Sequence, residues 1–430
     1  MSNDTLDVPA NWSSYLFPIY QGGLRPSIGS YEYQKLEKIS EEVTKENHAA
    51  YLYTFGSAGS GSTNTANRVS LDRWQIIPRM LRDATERNIE TEIFGVKLRS
   101  PLIIAPVGVQ GILHSDGELA TARAAARLGV PYTLSTASTR SIEAVAKASG
   151  NGHRWYQLYW PRTNEVTLSL LSRAKAEGYT ALVVTLDTFQ IGWRPHDLDT
   201  AYLPFAAGVG VQVGTSDPVF MSRFGLSPRD ETPKFPLDLD KFRTSAANDD
   251  NLAEAGKLGA AWLAEANSGL FRSWEDVKFL RDNWKGPLVL KGIQCVADAL
   301  AAIDVGADGI VVSNHGGRQV DGAIGSFSAL VKITASKRVR EAQESGKFTV
   351  LFDSGIRTGS DVVKALAMGA QAVMVGRPFM YGLSINGEKG VEEVLRGLLA
   401  ETEITLGLSG YKNIREIWGK REEILEDTLS

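Results

Sequence analysis

Short apolar runs alternate with amphipathic stretches of helix length from about residue 100 onward. Each run is bounded by Gly, Pro, Asp or Ser, and such alternation is typical of βαβ units around a parallel sheet. Eight runs occur, which predicts an α/β fold of the (β/α)8 TIM-barrel type. The predicted strands are Leu102–Ala105, Tyr132–Ser135, Trp155–Tyr159, Ala181–Leu186, Leu288–Lys291, Gly309–Ser313, Thr349–Phe352 and Ala372–Val375.

Two segments interrupt this alternation. Residues 1–100 form a predicted N-terminal helical extension that packs on the barrel of residues 101–430, with one helix from about Tyr31 to Thr54. The Gly56–Thr65 stretch that follows has the composition of a flexible linker. Residues 188–272 separate strand four from its helix, whereas a βα loop usually has about 2–6 residues. Because such an insertion lies on the catalytic face of a barrel, we predict a lid, the alternative being an ordered addition without a catalytic role.

Composition narrows the functional classes. The chain has 46 Lys+Arg against 50 Asp+Glu, a formal charge of −4, and no basic stripe, which argues against nucleic acid as a partner. Its single cysteine, Cys295, excludes an intrachain disulfide. The apolar runs are shorter than the roughly 20 residues that span a bilayer, and Met1–Tyr20 lacks the pattern of a secretory signal. A cytoplasmic enzyme that does not bind membranes is therefore the expectation.

Polar side chains collect at the predicted carboxyl ends of the strands, where the mouth of a barrel gathers its catalytic groups. They are Gln157, Tyr159, Thr185, Asp187, Lys291, Ser313 with the following Asn314–Arg318, Asp353–Arg357, and Gly376 with Arg377. Strands seven and eight each end in glycine and arginine, at Gly355/Arg357 and Gly376/Arg377. Loops at these two positions of a barrel commonly bind phosphate, so we predict a phosphorylated ligand or cofactor.

Lys291 and His315 are candidate reactive groups. Lys291 could form a Schiff base, hold a fixed charge beside an electron-rich cofactor, or form an ordinary ion pair, and the residue alone does not decide. In the glycine-rich loop His315 could take a proton while Arg318 binds a carboxylate in bidentate fashion. Asp187 could orient His315.

Three further residues could contact the substrate: Arg194 as a second carboxylate ligand, and Tyr53 and Tyr159 as donors to a hydroxyl or ketone oxygen. Metal-binding motifs such as His-Glu-x-x-His or a cysteine pair are missing from the sequence, and so is a dinucleotide-binding Gly-x-Gly-x-x-Gly after a strand. We therefore predict no catalytic metal.

Several motifs resemble the FMN-dependent α-hydroxy-acid oxidase and dehydrogenase family. They are SNHGGRQ at Ser313–Gln319, Lys291-Gly292, DSGIR at Asp353–Arg357, Gly376-Arg377-Pro378, YQLY at Tyr156–Tyr159 and TLDT at Thr185–Thr188. The resemblance runs from about Tyr33 to Tyr411. Within the family the chain most resembles lactate 2-monooxygenase, through Pro78–Arg87, Gly192–Asp197, Lys291–Gln294 and the serine of Asp353-Ser354-Gly355.

The resemblance implies FMN as cofactor and oxidation of a 2-hydroxy acid, with O2 as acceptor and a homotetramer or larger assembly. It assigns cofactor binding to Pro106, Val107, Gly108, Ser135, Gln157, Thr185, Lys291, Ser313, Asp353, Ser354, Gly355, Arg357, Gly376 and Arg377. His315, Asp187, Lys291 and Tyr159 would be catalytic, and Tyr53, Tyr159, Arg194, Arg318 and Ala137 would line the substrate side. Lys291 would stabilise negative charge on the flavin, which displaces the Schiff-base lyase as the leading interpretation.

Two positions bear on the outcome of the reaction. Gly108 stands where simple oxidases commonly have alanine, and the missing methyl would leave room near the flavin, so we hypothesise coupled oxidative decarboxylation. Ala137 aligns with tryptophan in glycolate oxidase and leucine in lactate monooxygenase, which predicts a substrate larger than lactate. The alternatives are a peroxide-forming oxidase or a dehydrogenase with another electron acceptor.

Overall fold

Eight parallel strands close into a barrel at the centre of the computed structural model, which describes residues 11–429. We number them β1 to β8 in chain order. Their bounds are Leu102–Ile104, Tyr132–Leu134, Arg154–Tyr159, Leu182–Thr185, Leu288–Ile293, Gly309–Val312, Thr349–Phe352 and Ala372–Val375. The predicted (β/α)8 barrel is confirmed, with β8 pairing β1 and β7 pairing β6.

The strand register brings the polar strand ends to one rim. Every residue of β4, β6, β7 and β8 is buried, because one face of each strand fills the barrel and the other meets the helices. Tyr159 at the end of β3 pairs with Thr185 of β4, which pairs in turn with Lys291 of β5. These three side chains therefore lie at the carboxyl end of the barrel.

Helices surround this barrel and form most of the connecting segments. The α-helices are Leu16–Tyr20, Tyr33–Val43, His48–Phe55, Ser62–Asp72, Glu118–Leu128, Ile142–Ser149, Asn164–Ala176, Pro195–Asp199, Gln212–Thr215, Pro218–Ser222, Leu239–Ala246, Asp250–Ala266, Val277–Asn283, Val296–Asp304, Ser326–Ala335, Lys337–Glu344, Gly359–Met368, Arg377–Leu408 and Arg421–Ile424. Within residues 11–429 no helix combines the length and apolarity needed to cross a membrane.

The predicted single helix from Tyr31 to Thr54 is wrong, because the structure has two helices there, Tyr33–Val43 and His48–Phe55. The Thr44 hydroxyl donates to the carbonyl of Ser40 at 2.7 Å, and Asn47 leaves the helical region with φ −129°. Such side-chain bonds compete with helical geometry, and a 3₁₀ turn fills the break. The second helix carries Tyr53 to the mouth of the barrel.

The linker predicted at Gly56–Thr65 is also corrected. The carboxylate of Asp321 accepts hydrogen bonds from the backbone N–H and the hydroxyl of both Ser60 and Ser62, at 2.6 to 3.0 Å. The bonds from Ser62 and Ser60 hold the pKa of Asp321 below its usual range. Helix Ser62–Asp72 begins inside the stretch. The two serines supply donors to a distant carboxylate, and the segment is ordered.

The segment before the barrel also contains strands and is joined to the rest of the fold. Trp74–Ile76 pairs antiparallel with Leu425–Asp427 near the other end of the chain. A hairpin of Thr91–Ile93 and Val96–Leu98 packs Ile93 and Leu98 into the same apolar cluster as the interior of the barrel. Residues 1–10 of the predicted extension lie outside the described residues.

The insertion of residues 188–272 folds into helices whose apolar residues join the main hydrophobic core. Val213, Phe220, Met221 and Trp262 are almost completely buried. At Gly214 a Cβ atom would lie 2.3 Å from the indole of Trp262, so glycine allows this close packing. The insertion is thus a packed helical subdomain and not an extended loop.

Candidate active site

A cavity of about 1150 Å3, counted out to its mouth, opens at the carboxyl ends of the strands. Most of the predicted site residues line it. They are Tyr53, Pro106, Val107, Gly108, Ala137, Tyr159, Arg194, Lys291, His315, Arg318, Asp353, Ser354, Gly355, Arg357, Gly376 and Arg377. Residues as far apart in sequence as Tyr53 and Arg377 therefore converge as the barrel topology predicts.

Five predicted residues, Asp187, Ser135, Gln157, Thr185 and Ser313, do not line the cavity but lie directly behind its wall. The amide oxygen of Gln157 accepts from the Ser135 hydroxyl at 3.1 Å, and its nitrogen donates to Thr185 Oγ1 at 2.9 Å. These bonds fix the orientation of the Gln157 amide. The three residues therefore support the cavity from beneath.

The imidazole of His315 is held by Asp187. Nδ1 of the ring lies 2.9 Å from Oδ1 of the carboxylate and 3.1 Å from the Thr188 hydroxyl. Burial alone would raise the pKa of Asp187, but His315 and Lys291 outweigh it and hold that pKa below its usual range. Burial lowers the pKa of His315, and Asp187 opposes that shift. With Nδ1 bound to the carboxylate, Nε2 is the nitrogen left for a ligand.

The loop that carries His315 is held in an unusual conformation. His315 has φ 58°, in the left-handed region that L-residues rarely adopt. The side-chain amides of Asn314 and Asn67 donate to each other, at 2.6 and 2.9 Å, and the Ser313 hydroxyl accepts from the backbone N–H of His315. Sequence reasoning missed Asn67, because it lies in a helix beside a stretch of linker composition.

Lys291 is an ion-paired residue at 4% exposure. Its Nζ donates to the Ser313 hydroxyl at 3.0 Å and lies 3.5 Å from the Asp353 carboxylate. Nζ is thus engaged by a carboxylate and a hydroxyl, as in an ordinary structural ion pair. The contacts therefore favour a fixed positive charge at the cavity wall.

The guanidinium groups of Arg194 and Arg318 both line the cavity. Arg318 donates to the backbone carbonyls of Tyr53, Thr54 and Gly56, which uses three of its five N–H donors. Only the two remaining N–H donors of Arg318 are left for the predicted bidentate contact with a carboxylate. Burial, together with Arg194 and Arg377, lowers the pKa of Arg318 to about 9. Arg194 lies 3.7 Å from the Asp197 carboxylate, but in the described part of the chain Arg318 has no carboxylate in salt-bridge contact. One carboxylate thus faces two guanidinium groups, which leaves Arg318 suited to a further anion.

The part of the cavity around Arg357 fits a phosphate. Arg357 stacks on the ring of Tyr33 at 4.5 Å, and its buried Nε has no hydrogen-bond partner among residues 11–429. Helix Arg377–Leu408 begins beside it, and a helix N-terminus attracts anions. Gly355, with φ 115°, provides backbone without a side chain at this point.

The structure adds cavity residues that sequence reasoning missed. They include Val109, Ile191, Phe205, Asn267, Met374 and Met380. Ile191, Phe205 and Asn267 belong to the insertion, where no strand pattern indicated which residues would turn inward. The Asn267 amide donates to the carbonyl of Thr188 at 2.8 Å, which ties the end of the insertion to its beginning.

Gly108 does not open the room expected of it. A Cβ atom at this position would lie 2.7 Å from both the methyl group and the carbonyl oxygen of Ala137. The glycine therefore brings the loops after β1 and β2 into contact, and Ala137 fills the space that an alanine methyl would take.

Fold and site together define a TIM-barrel enzyme that binds a phosphorylated cofactor beside a small anionic substrate. The chain belongs to the FMN-dependent dehydrogenase family, whose model matches residues 43–425. It is 45% identical over 412 residues, 95% of each chain, to an FMN-dependent alpha-hydroxy acid dehydrogenase of Penicillium citrinum. It is 38% identical over 363 residues to 4-hydroxymandelate oxidase of Amycolatopsis orientalis, covering 84% of this chain and 89% of that enzyme.

A crystal structure of mandelate oxidase is similar in fold, with a TM-score of 0.72 and 35% identity over 92% of this chain and 98% of the other. The protein is thus an FMN-dependent 2-hydroxy acid oxidoreductase. The residues fit this cofactor, because the unpartnered Arg357 Nε and the helix N-terminus suit its phosphate. Lys291 supplies a buried positive charge at the wall of the same cavity.

Proposed function

We propose that the protein oxidises a 2-hydroxy acid with an apolar side chain larger than methyl to its 2-keto acid, and that O2 takes up the electrons. Written for a side chain R, R–CHOH–COO− and O2 give R–CO–COO− and H2O2. The proposal is based on a single cavity that is lined by His315, which Asp187 holds, by the guanidinium groups of Arg194 and Arg318, and by residues that suit a phosphorylated cofactor.

FMN, when bound, supplies the two-electron redox chemistry. The chain supplies the proton acceptor, since Nε2 of neutral His315 would take a proton from the substrate. The ring then becomes an imidazolium, which the Asp187 carboxylate at 2.9 Å stabilises. Because Asp187 stays ionised, it acts as an orienting anion and not as a second base.

The substrate carboxylate would bind between Arg194 and Arg318. Arg194 is 7% exposed and donates through Nε to the Arg318 carbonyl, which keeps both guanidinium groups on one side of the cavity. Burial raises the pKa values of Tyr53 and Tyr159, so both hydroxyls stay protonated and can donate to the substrate. Together these groups would fix the substrate relative to His315.

The substrate side chain would lie against an apolar wall. Ala137 contributes only a methyl, and Val109, Ile191 and Phe205 line the cavity with it. Gly210 comes close to this wall without a side chain of its own, since a Cβ there would lie 3.0 Å from Val109 and 3.3 Å from the Ala137 carbonyl. These contacts support a substrate such as an aryl or long-chain 2-hydroxy acid.

Replacing Ala137 by leucine is expected to narrow this wall. We expect kcat/KM for a phenyl-substituted 2-hydroxy acid to fall about 100-fold, while that for lactate changes by no more than a few-fold. The measurement is steady-state kinetics of Ala137→Leu and wild type on a series of 2-hydroxy acids of increasing size.

Ala260→Leu is the matched control, because Ala260 is exposed on a helix of the insertion. A wild-type profile that peaks at glycolate or lactate would count against the larger substrate. An equal loss for small and large substrates in Ala137→Leu would also oppose it.

Coupled decarboxylation is a second candidate outcome, in which R–CHOH–COO− and O2 give R–COO−, CO2 and water. Phe205 and Asn267 of the insertion, with Tyr53 on the other side, enclose the cavity, and such enclosure favours retention of the keto acid beside peroxide. Product analysis with catalase present separates the outcomes. The shortened acid despite catalase supports decarboxylation inside the site, and intact keto acid with stoichiometric free peroxide excludes it.

A further inference from the structure

Gln319, the last residue of the SNHGGRQ motif, has no role in the mechanism above. Its side-chain amide makes four hydrogen bonds, and all four partners lie in residues 187–194, which lead from the end of β4 into the insertion. We propose that Gln319 is a positioning residue that fixes Asp187 and Arg194 relative to His315. This inference rests on the proposed function of the site.

The contacts use the full capacity of a glutamine amide. Its nitrogen donates to the carbonyl oxygens of Asp187 at 2.7 Å and Gln190 at 2.9 Å. Its oxygen accepts from Nη2 of Arg194 at 2.9 Å and from the backbone N–H of Gly192 at 3.3 Å. An amide that donates twice and accepts twice is fully satisfied, so the side chain has one preferred orientation.

The two segments also touch through their backbones. Nε of Arg194 donates to the Arg318 carbonyl at 3.0 Å. A Cβ atom on Gly192 would lie 2.6 Å from that carbonyl oxygen and 2.8 Å from the carbonyl oxygen of Gln319. Glycine at 192 therefore permits the approach that brings the Gln319 amide within reach.

The position of this contact gives it a consequence for catalysis. Asp187 and Arg194 stand at the two ends of the bonded segment, one behind the imidazole and the other on the substrate side. Both must be placed against His315, which lies in the same loop as Gln319. Few side chains could make the same four hydrogen bonds. Glutamate cannot donate a hydrogen bond, methionine can neither donate nor accept one of this strength, and asparagine is shorter by one methylene group.

The test replaces Gln319 by methionine, which has similar length and no amide. We expect kcat/KM for the preferred 2-hydroxy acid to fall about 100-fold, since small displacements of catalytic groups have effects of this size. We expect kcat to fall because Asp187 is less well positioned behind His315. We expect equilibrium binding of the 2-keto acid product to weaken because Arg194 is less well positioned in the cavity. The acid limb of the pH profile should move to lower pH, because Asp187 would raise the pKa of His315 less.

Gln343→Met is the matched control. Gln343 is a buried glutamine whose amide donates to the Gly369 carbonyl and to Gln371, on helix Lys337–Glu344 and away from the cavity. A purely structural effect would lower the thermal stability of both variants and leave kcat, KM and the pH profile unchanged in both. Should Gln319→Met fail to fold, Gln319→Glu keeps the two acceptor contacts, and we expect a clear rise in KM because its carboxylate competes with substrate for Arg194.

Hydrogen exchange of residues 187–194 in the FMN-loaded protein provides a readout that needs no turnover. We expect faster exchange in Gln319→Met than in wild type or Gln343→Met. Unchanged exchange, or wild-type kinetics in Gln319→Met, would overturn the inference. A wild-type protein that oxidises no 2-hydroxy acid would overturn the proposed function instead, and the exchange measurement would still decide whether Gln319 holds the segment.

Discussion

Replacing His315 by glutamine is expected to lower kcat/KM for the 2-hydroxy acid by about 10³- to 10⁴-fold. Glutamine keeps a polar side chain of similar size but cannot accept a proton, and a positioned general base contributes this order of rate enhancement. FMN content should stay that of wild type. The measurement is steady-state turnover together with the flavin-to-protein ratio of the purified variant.

The wild-type pH profile provides a second expectation for the same residue. The base must be neutral, so kcat/KM should fall as the pH drops through the pKa of His315. Because burial lowers that pKa, the acid limb should lie below the ordinary range for histidine. The control is His153→Gln, an exposed histidine before β3 at the other end of the barrel. A His315→Gln variant as active as this control would contradict the assignment.

Replacing Lys291 by methionine is expected to lower turnover by about 10³-fold and to weaken FMN binding. The change removes a positive charge from the cavity wall and leaves the buried Asp353 carboxylate without its ion pair, 3.5 Å away. Fixed charges in sites that exclude water have effects of this size on rate. Turnover with saturating FMN and an FMN titration of the apoprotein measure the two effects separately.

Lys364→Met is the matched control for Lys291. Lys364 is a half-buried lysine whose Nζ donates to the carbonyl of Leu71, and it does not line the cavity. We expect at most a change in stability there. Equal loss of FMN binding in both lysine variants would show that Lys291 acts through folding alone.

The barrel strands are predictable from sequence because of how a parallel barrel is buried. Strands such as Thr349–Phe352 are covered on both faces, so they appear as short continuous apolar runs between turn residues. Parallel pairing then places every carboxyl end at one rim, which brings Tyr159, Lys291 and His315 together without further information. This part of the site follows from local sequence and topology.

The corrected elements depend on contacts that local sequence does not contain. The order in Gly56–Thr65 comes from Asp321, about 260 positions farther along the chain. Ile191 and Phe205 line the cavity from the helical insertion, whose tertiary packing a pattern of apolar positions does not specify. The number of Arg318 donors left for a ligand could not be predicted either, because the other three bind backbone carbonyls of a distant segment.

The most direct test of the account is to mix the FMN-loaded protein with an aryl-substituted 2-hydroxy acid in the absence of oxygen. We expect the yellow colour of the bound flavin to fade and one 2-keto acid to form for each FMN, with the colour returning when air is admitted. A colour that persists with every 2-hydroxy acid, or a substrate carbonyl trapped on Lys291 by borohydride, would contradict it.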